Sequence, residues 1–324
     1  MSATSAPRHV VQVEVATLSI RIEADTADDL ALVHRLLGSA LSTRPPDATI
    51  RLVGDAPTLP VRDPDFEGPY GDHWDADGVH SFRHHWGFAA VVTDDLAVMG
   101  GAASGHERWV TVRNSMLFAV ARLFLTRGLL VLHGAGIRRG DMGLVAIGES
   151  GSGKSTLAYV ASRAGWGVLG DDMVVIDPTG PELVLRGIPR VPSVPGEIAA
   201  AAQVVGDTVP RDTRSRMELV EHEMDHGSAP LAGVIVCAHG TAEGSVTEID
   251  AVTALHALVP AFVLADLPGP LRRWFPVASR LANGVCVQLG HAASAEDRLL
   301  RTEALLDEVA RRCRTGHDPD RHRP

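Results

Sequence analysis

Cysteine is scarce. The chain of 324 residues holds three, Cys237, Cys286 and Cys313, widely spaced and with no CxxC pair. That argues against a disulfide framework or a cysteine zinc site and points to a reducing, cytoplasmic setting. Basic charge is also short: 30 Lys and Arg stand against 40 Asp and Glu, a formal net charge of -10. This balance argues against a nucleic-acid-binding surface spread over the whole protein, though it allows a local basic pocket. No apolar run approaches ~18 residues without a charge or turn signal, so no membrane span is expected. The N-terminal MSATSAPRHVVQVEV lacks the charged-then-apolar layout of a signal peptide, and no internal repeat is found. What is present is 45% hydrophobic and 22% charged, enough apolar surface for a full core. At ~100–200 residues per domain, the length suggests one large domain or two smaller ones.

Residues 10–22 partly alternate apolar with polar and predict a strand. Residues 26–41 predict an amphipathic helix, with Thr26 as N-cap and Asp28 and Asp29 at the positive end of the helix dipole. A short strand is expected at 49–53, irregular loop over 55–86, and strands at 88–93 and 107–113. Residues 115–126 suit a helix. Together these place a small α+β region at 1–110 and a second domain at 111–316, with a disordered polar tail at 317–324. From residue 129 the pattern changes. Strands at 130–138 and 143–148 flank the turn RGDMG, and then come a Gly-rich loop, a helix over 153–164 stopped by Gly165, and strands at 166–170 and 173–177. Later, 231–237 and 283–289 read as buried strands and 293–313 as a C-terminal helix. The middle stretch is a strand–loop–helix–strand unit of nucleotide-binding character.

The strongest signal is GESGSGKS at 148–155, a full match to GxxxxGK[ST]. Gly148, Gly151 and Gly153 permit backbone conformations and close approaches that a side chain would block. Successive N–H groups then cradle phosphate oxygens at a helix N-terminus. Lys154 supplies positive charge to the β- and γ-phosphates, and Ser155 a hydroxyl to Mg²⁺. The candidate nucleotide-binding set is Gly148, Glu149, Ser150, Gly151, Ser152, Gly153, Lys154, Ser155 and Thr156. A chance Gly/Ser-rich turn is the alternative, and the apolar strand before the loop and apolar-periodic helix after it oppose it. Asp171-Asp172 directly follows a strand, where an NTPase places its Mg²⁺-holding acid. One acid can hold metal and the other take the proton of an attacking hydroxyl; a solvated Gly-Asp-Asp turn is the alternative, favoured for the pair taken alone but not beside a phosphate loop. His133, upstream on a neighbouring strand, is a third candidate, to touch the γ-phosphate or orient an acid, although a lone strand histidine is more often structural.

The segment 129–177 resembles the HPr kinase/phosphorylase-like superfamily. The carriers are His133-Gly134, the loop Gly148 to Ser155, Gly167 through Asp171-Asp172, and the spacing from Lys154 to Asp171. A weaker likeness lies in RGIPRVPSVP (186–195) and in Arg211, Arg214 and Arg216. The resemblance implies an α/β fold with a P-loop mixed-sheet core related to phosphoenolpyruvate carboxykinase, and a small N-terminal α+β domain. It implies an ATP- and Mg²⁺-dependent kinase acting on a Ser/Thr hydroxyl of a peptide or protein. By position, Asp171 would be the general base, with Asp172 and Ser155 as metal ligands. Lys154, Ser150 and the loop amides would hold phosphate, assisted by His133. Where the family's carbohydrate-regulating enzymes carry a glutamate before their L-R-G segment, this chain has Val184, with Glu182 two positions earlier. The N-terminal region is closer to kinases of peptide-tailoring gene sets, so a ribosomally made precursor peptide is the implied acceptor. No nucleic acid or membrane is expected as partner, and homo-oligomerisation stays open.

One motif competes. HEMDH at 222–226 matches HExxH, which on a helix could hold Zn²⁺ with Glu223 as base and Glu243 or Glu248 as a third ligand. Gly227 and Pro230 follow at once and would stop such a helix. The alternatives to a peptide kinase are therefore a nucleotide-responsive binding protein without catalysis, a small-molecule kinase, and, least supported, a zinc hydrolase.

Overall fold

The computed structural model describes residues 9–37, 40–188, 192–203, 207–211, 214–218, 224–238, 244–265, 267, 270–290 and 294–316. The chain divides into two units, Met1–Leu130 with Asp266–Pro270, and Val131–Ala265 with Leu271–Pro324. Both carry mixed sheets, and seven α-helices occur among the described residues. No helix among those residues is long and apolar enough to cross a membrane. The tail expected at 317–324 lies outside them.

In the first unit, β1 (His9–Val15) and β2 (Leu18–Ala24) form an antiparallel hairpin. A single strand was expected over 10–22. The turn at Ala16, φ 53°, has no Gly, Pro or Asn to announce it. Helix α1 (Ala27–Leu37) starts where expected: Asp29 N–H donates to Thr26 Oγ1 at 3.1 Å. Its Val33, Leu36 and Leu37 are buried, on the face toward β1 and β2. Strands β3 (Ala48–Val53), β4 (Phe66–Glu67), β5 (Gly71–Ala76), β6 (Val79–His84), β7 (Phe88–Val92) and β8 (Leu96–Gly101) complete an eight-stranded sheet. Its order is β1-β2-β3-β8-β7-β6-β5-β4. The loop expected over 55–86 is thus corrected: it contains β4, β5 and β6. Asp77-Gly78, both at positive φ, form the tight hairpin turn between β5 and β6, a signal hidden among His and Asp residues.

The strand expected at 107–113 is also corrected, because those residues belong to α2 (Gly105–Leu125). Val112, Met116, Ala119, Val120, Leu123 and Phe124 are fully buried, and their spacing is that of one helical face. The β-branched residues of WVTV favour a strand locally, but burial of the longer stripe decides the outcome. The expected boundary at residue 110 falls inside this helix, which packs on β6, β7 and β8 of the first unit.

The second unit begins within β9 (Leu130–Leu132) and continues with β10 (Ala135–Arg139), β11 (Met142–Ile147), α3 (Lys154–Arg163), β12 (Gly167–Gly170), β13 (Val174–Asp177) and β14 (Val184–Gly187). Then come β15 (Ser193–Pro195), α4 (Gly196–Ala201), β16 (Asp207–Arg211), β17 (Arg214–Glu218), β18 (Ser228–Ala238) and β19 (Val246–Glu248). It closes with α5 (Ala251–Leu258), α6 (Leu271–Ala282), β20 (Val285–Gly290) and α7 (Ala295–Gly316). The main sheet runs β12-β10-β11-β18-β14-β13-β9, with β20 paired to β18 and β19 to β20; β15, β17 and β16 form a separate sheet. Leu157, Ala158 and Ala161 of α3 share a buried cluster with Leu306, Val309, Ala310 and Cys313 of α7 and with Leu144, Ile235 and Val287 of the sheet. Each fully buried leucine or valine there contributes about 1.5–3 kcal/mol. The cluster holds α3, and with it the loop that precedes α3, against the sheet.

Candidate functional site

Strand direction brings the sequence motifs together. β10 is antiparallel to β11 on one side and to β12 on the other. β11 and β12 therefore run the same way, and their C-terminal ends share one sheet edge. Gly148 follows β11, Asp171 follows β12, and His133-Gly134 precedes β10 between them. With neighbouring strands ~4.8 Å apart, the two strand ends are separated by roughly 10 Å. The His-Gly pair has a steric reason: a Cβ on Gly134 would lie 2.6 Å from the carbonyl oxygen of Ala146.

The loop between β11 and α3 is tightly formed. Gly148, Gly151 and Gly153 have φ of 139°, 84° and 100°. A Cβ on Gly148 would lie 2.2 Å from the Cys237 carbonyl oxygen and 2.8 Å from Ser152 Oγ. Lys154 is buried, and its Nζ donates to the carbonyls of Gly148 at 2.7 Å and Glu149 at 2.9 Å. Ser152 is buried, and its Oγ has no hydrogen-bond partner among the described residues. Gly153 stands at the N-cap of α3, where no side chain caps the helix. That N-terminus is the positive end of the helix dipole. Thr156 is buried and Ser155 half-buried in the first turn of α3; Glu149 and Gly151 are exposed.

Asp171 is buried, and its Oδ2 accepts the Ser193 N–H at 3.0 Å. Asp172 takes the left-handed conformation, φ 85°, which a non-glycine residue adopts at a cost of about 1–3 kcal/mol. One of its oxygens lies 3.4 Å from His133 Nδ1. The plain-turn reading of Gly-Asp-Asp does not account for two buried acids, one strained and one tied to another segment.

Several partners were not visible in the sequence. Ser193 opens β15 in the stretch noted at 186–195, but nothing in its identity announces that its backbone holds Asp171. Cys237 forms a wall of the loop. Burial pushes its thiol up to about 12 while the Lys154 charge pulls the other way, so at neutral pH it is an uncharged wall. Arg186 is committed elsewhere: its Nε and Nη2 lie 3.1 and 2.9 Å from Asp177 Oδ2. Val184 pairs with Asp177, while Gly187 pairs with Val174 beside the acids. A side chain at 184 therefore starts roughly 10 Å along the strand from the acid end.

Of HEMDH, His222 and Glu223 lie outside the described residues, as does Glu243. Residues 224–226 are not helical. Asp225 instead binds Arg138, with Nη2 to Oδ1 at 3.0 Å, and accepts the Gly227 N–H at 2.8 Å. Burial raises its pKa, but those two bonds outweigh this and hold the carboxyl below the ordinary value. Among the described residues no group of three or more His, Cys, Asp or Glu could hold a metal. The side chains of Arg211, Arg214 and Arg216 are likewise outside the description.

No family model matches the chain, and no curated protein matches it. Among solved structures, the Hpr(Ser) kinase/phosphatase from Coxiella burnetii matches with a TM-score of 0.22 and 15% identity, over 33% of this chain and 63% of that one. The match thus spans less than two thirds of that enzyme. An overlap of this extent carries no weight for function, which rests on the residues themselves.

Proposed function

We propose that the chain is a P-loop kinase that uses ATP and Mg²⁺ to phosphorylate a Ser or Thr hydroxyl of a peptide or protein. The observation that carries this reading is the shared sheet edge, where a glycine loop capped by α3 faces a buried acid pair with His133 between. The residues suit a triphosphate. The loop's glycines leave room for close approach, Ser152 Oγ is a buried hydroxyl lacking a partner among the described residues, and no side chain caps the N-terminus of α3, the positive end of its dipole. They also suit Mg²⁺, which takes hard oxygens and is held by one or two protein groups plus phosphates and waters. Ser155 and Asp172 are such groups. When bound, MgATP supplies the phosphoryl group to be transferred.

The chain's own residues supply positioning and proton handling. Lys154 exchanges two loop carbonyls for phosphate oxygens. Gly148 to Thr156, including Ser150 and Glu149 through their backbone, shape the anion cup. Asp171, fixed by the Ser193 N–H, accepts the proton of the acceptor hydroxyl. His133 orients Asp172. A ribosomally made precursor peptide is the acceptor this reading favours.

The reading is tested by incubating the protein with ATP, Mg²⁺ and either a Ser/Thr peptide pool or a metabolite pool. Mass spectrometry should find a gain of one phosphate on peptides, lost in Lys154→Ala. Gain on metabolites alone would replace it with a small-molecule kinase. Nucleotide binding with no product in either pool would leave a binding protein, the reading that Val184 in place of the family's glutamate keeps open.

A further inference from the structure

Strand β15 is short and stiff. Pro192 and Pro195 stand on either side of Ser193-Val194, and each fixes its own φ at about -65° and contributes no N–H. The N–H donors of β15 are therefore those of Ser193 and Val194. Ser193 donates to Asp171 Oδ2 at 3.0 Å, and Ser193, Val194 and Asp171 are all buried. β15 also pairs with β17, Val194 opposite Met217.

Val194 ties this strand to the phosphate helix. It shares a buried cluster with Tyr159 and Val160 of α3 and with Ile198 and Ala199 of α4. Tyr159 and Val160 stand in the second turn of α3, while Lys154, Ser155 and Thr156 stand in its first. One helix thus ends the phosphate cup and, a turn later, grips the strand that holds Asp171. The backbone before Asp171 is packed as closely: a Cβ on Gly170 would lie 2.6 Å from the Met173 carbonyl oxygen and 2.9 Å from that of Ile188.

We infer that Val194 is a positioning residue for phosphoryl transfer. By packing on Tyr159 and Val160 it keeps the Ser193 N–H on Asp171 Oδ2, and so holds that carboxylate in the orientation that takes the acceptor's proton. This rests on the kinase reading above and adds that α3, acting through β15, aligns the base with the cup. A misplacement of about 1 Å suffices to cost about 10²-fold in rate.

The test uses the full chain, Mg²⁺, varied ATP and the Ser/Thr peptide pool, with initial rates read by mass spectrometry. Val194→Ala should lower the maximal rate about tenfold or more, with KM for ATP within about twofold of the parent's. Val194→Ile, which keeps the branched packing, should recover most of the rate. Ser193→Pro deletes the donated hydrogen, leaves Val194 in place and should lose as much. Val33→Ala, at a fully buried valine of the first unit, is the control for a core cavity and should keep the parental rate. In an Asp171→Asn background, Val194→Ala should cost nothing further, because its effect passes through that carboxylate. An unchanged rate in Val194→Ala and Ser193→Pro overturns the inference. So does an equal loss with and without Asp171, or an equal loss in Val33→Ala. A parent that binds a fluorescent ATP analogue but phosphorylates no peptide overturns the peptide-kinase reading itself, and is seen before any variant is made.

Discussion

Replacing Gly148 with alanine places a methyl carbon 2.2 Å from the Cys237 carbonyl oxygen and 2.8 Å from Ser152 Oγ. The carbonyl cannot easily retreat. β18 is paired to β11 through Val236 and Ile147, and to β20 through Cys237 and Leu289. The φ of 139° adds backbone strain of about 1–3 kcal/mol, and the forced overpacking about 1–3 kcal/mol more. The expected loss of stability is therefore about 2–6 kcal/mol, large against total stabilities of about 5–15 kcal/mol. Gly140 is the control: its φ is 64°, and a Cβ there would meet nothing within 4 Å. Its alanine variant should lose only about 1–2 kcal/mol. Urea unfolding of both variants, with binding of a fluorescent ATP analogue as second readout, separates the two causes. Gly148→Ala should lose more stability and also lose nucleotide binding; Gly140→Ala should keep binding. Equal stability losses with binding intact in both would refute the steric argument for the loop.

Lys154→Ala should abolish nucleotide binding, read by titration calorimetry, while Asp171→Asn should bind nucleotide normally and lose about 10²-fold or more in phosphoryl transfer. Asp172→Gly removes the strain at φ 85° together with the carboxylate proposed to hold Mg²⁺; its urea midpoint should be no lower than the parent's while transfer is lost. His73, ringed by Phe66, Phe82 and Phe118, is pushed down to about 4, chiefly by burial, with the Arg122 charge adding to it. Because its folded pKa lies below the unfolded one, its contribution is full above about pH 6.5 and is lost as pH falls toward 4. Urea midpoints at pH 7 and 4.5 should draw closer in His73→Gln. Metal analysis of the purified protein should find no stoichiometric zinc, and His222→Ala should leave phosphoryl transfer unchanged.

Local signals were legible wherever the pattern and the tertiary outcome agree. The loop at 148–155, the helix after it, Thr26 as a cap and the strands at 231–237 and 283–289 follow from glycine placement, capping chemistry and apolar runs. The polar stretch 55–86 hid three strands because its pairing depends on neighbours across the sheet, not on an apolar face. WVTVRN read as strand because its β-branched residues dominate a short window, whereas the stripe from Val112 to Phe124 needs the longer one. For the candidate site, residue types suggested nucleotide chemistry, but only strand direction explains why Gly148, His133 and Asp171 lie at the same end of the sheet. The tie from Ser193 to Asp171 is a backbone contact, which no side-chain identity could reveal.

The central claim is that the cup at 148–155 holds a triphosphate and its magnesium against the acids after β12. Crystals grown with a non-hydrolysable ATP analogue and Mg²⁺ test it directly. The account predicts β- and γ-phosphates on the loop amides and Lys154, with the metal beside Ser155 and Asp172. Nucleotide seated elsewhere, or a loop with Lys154 still on its own carbonyls, would contradict it.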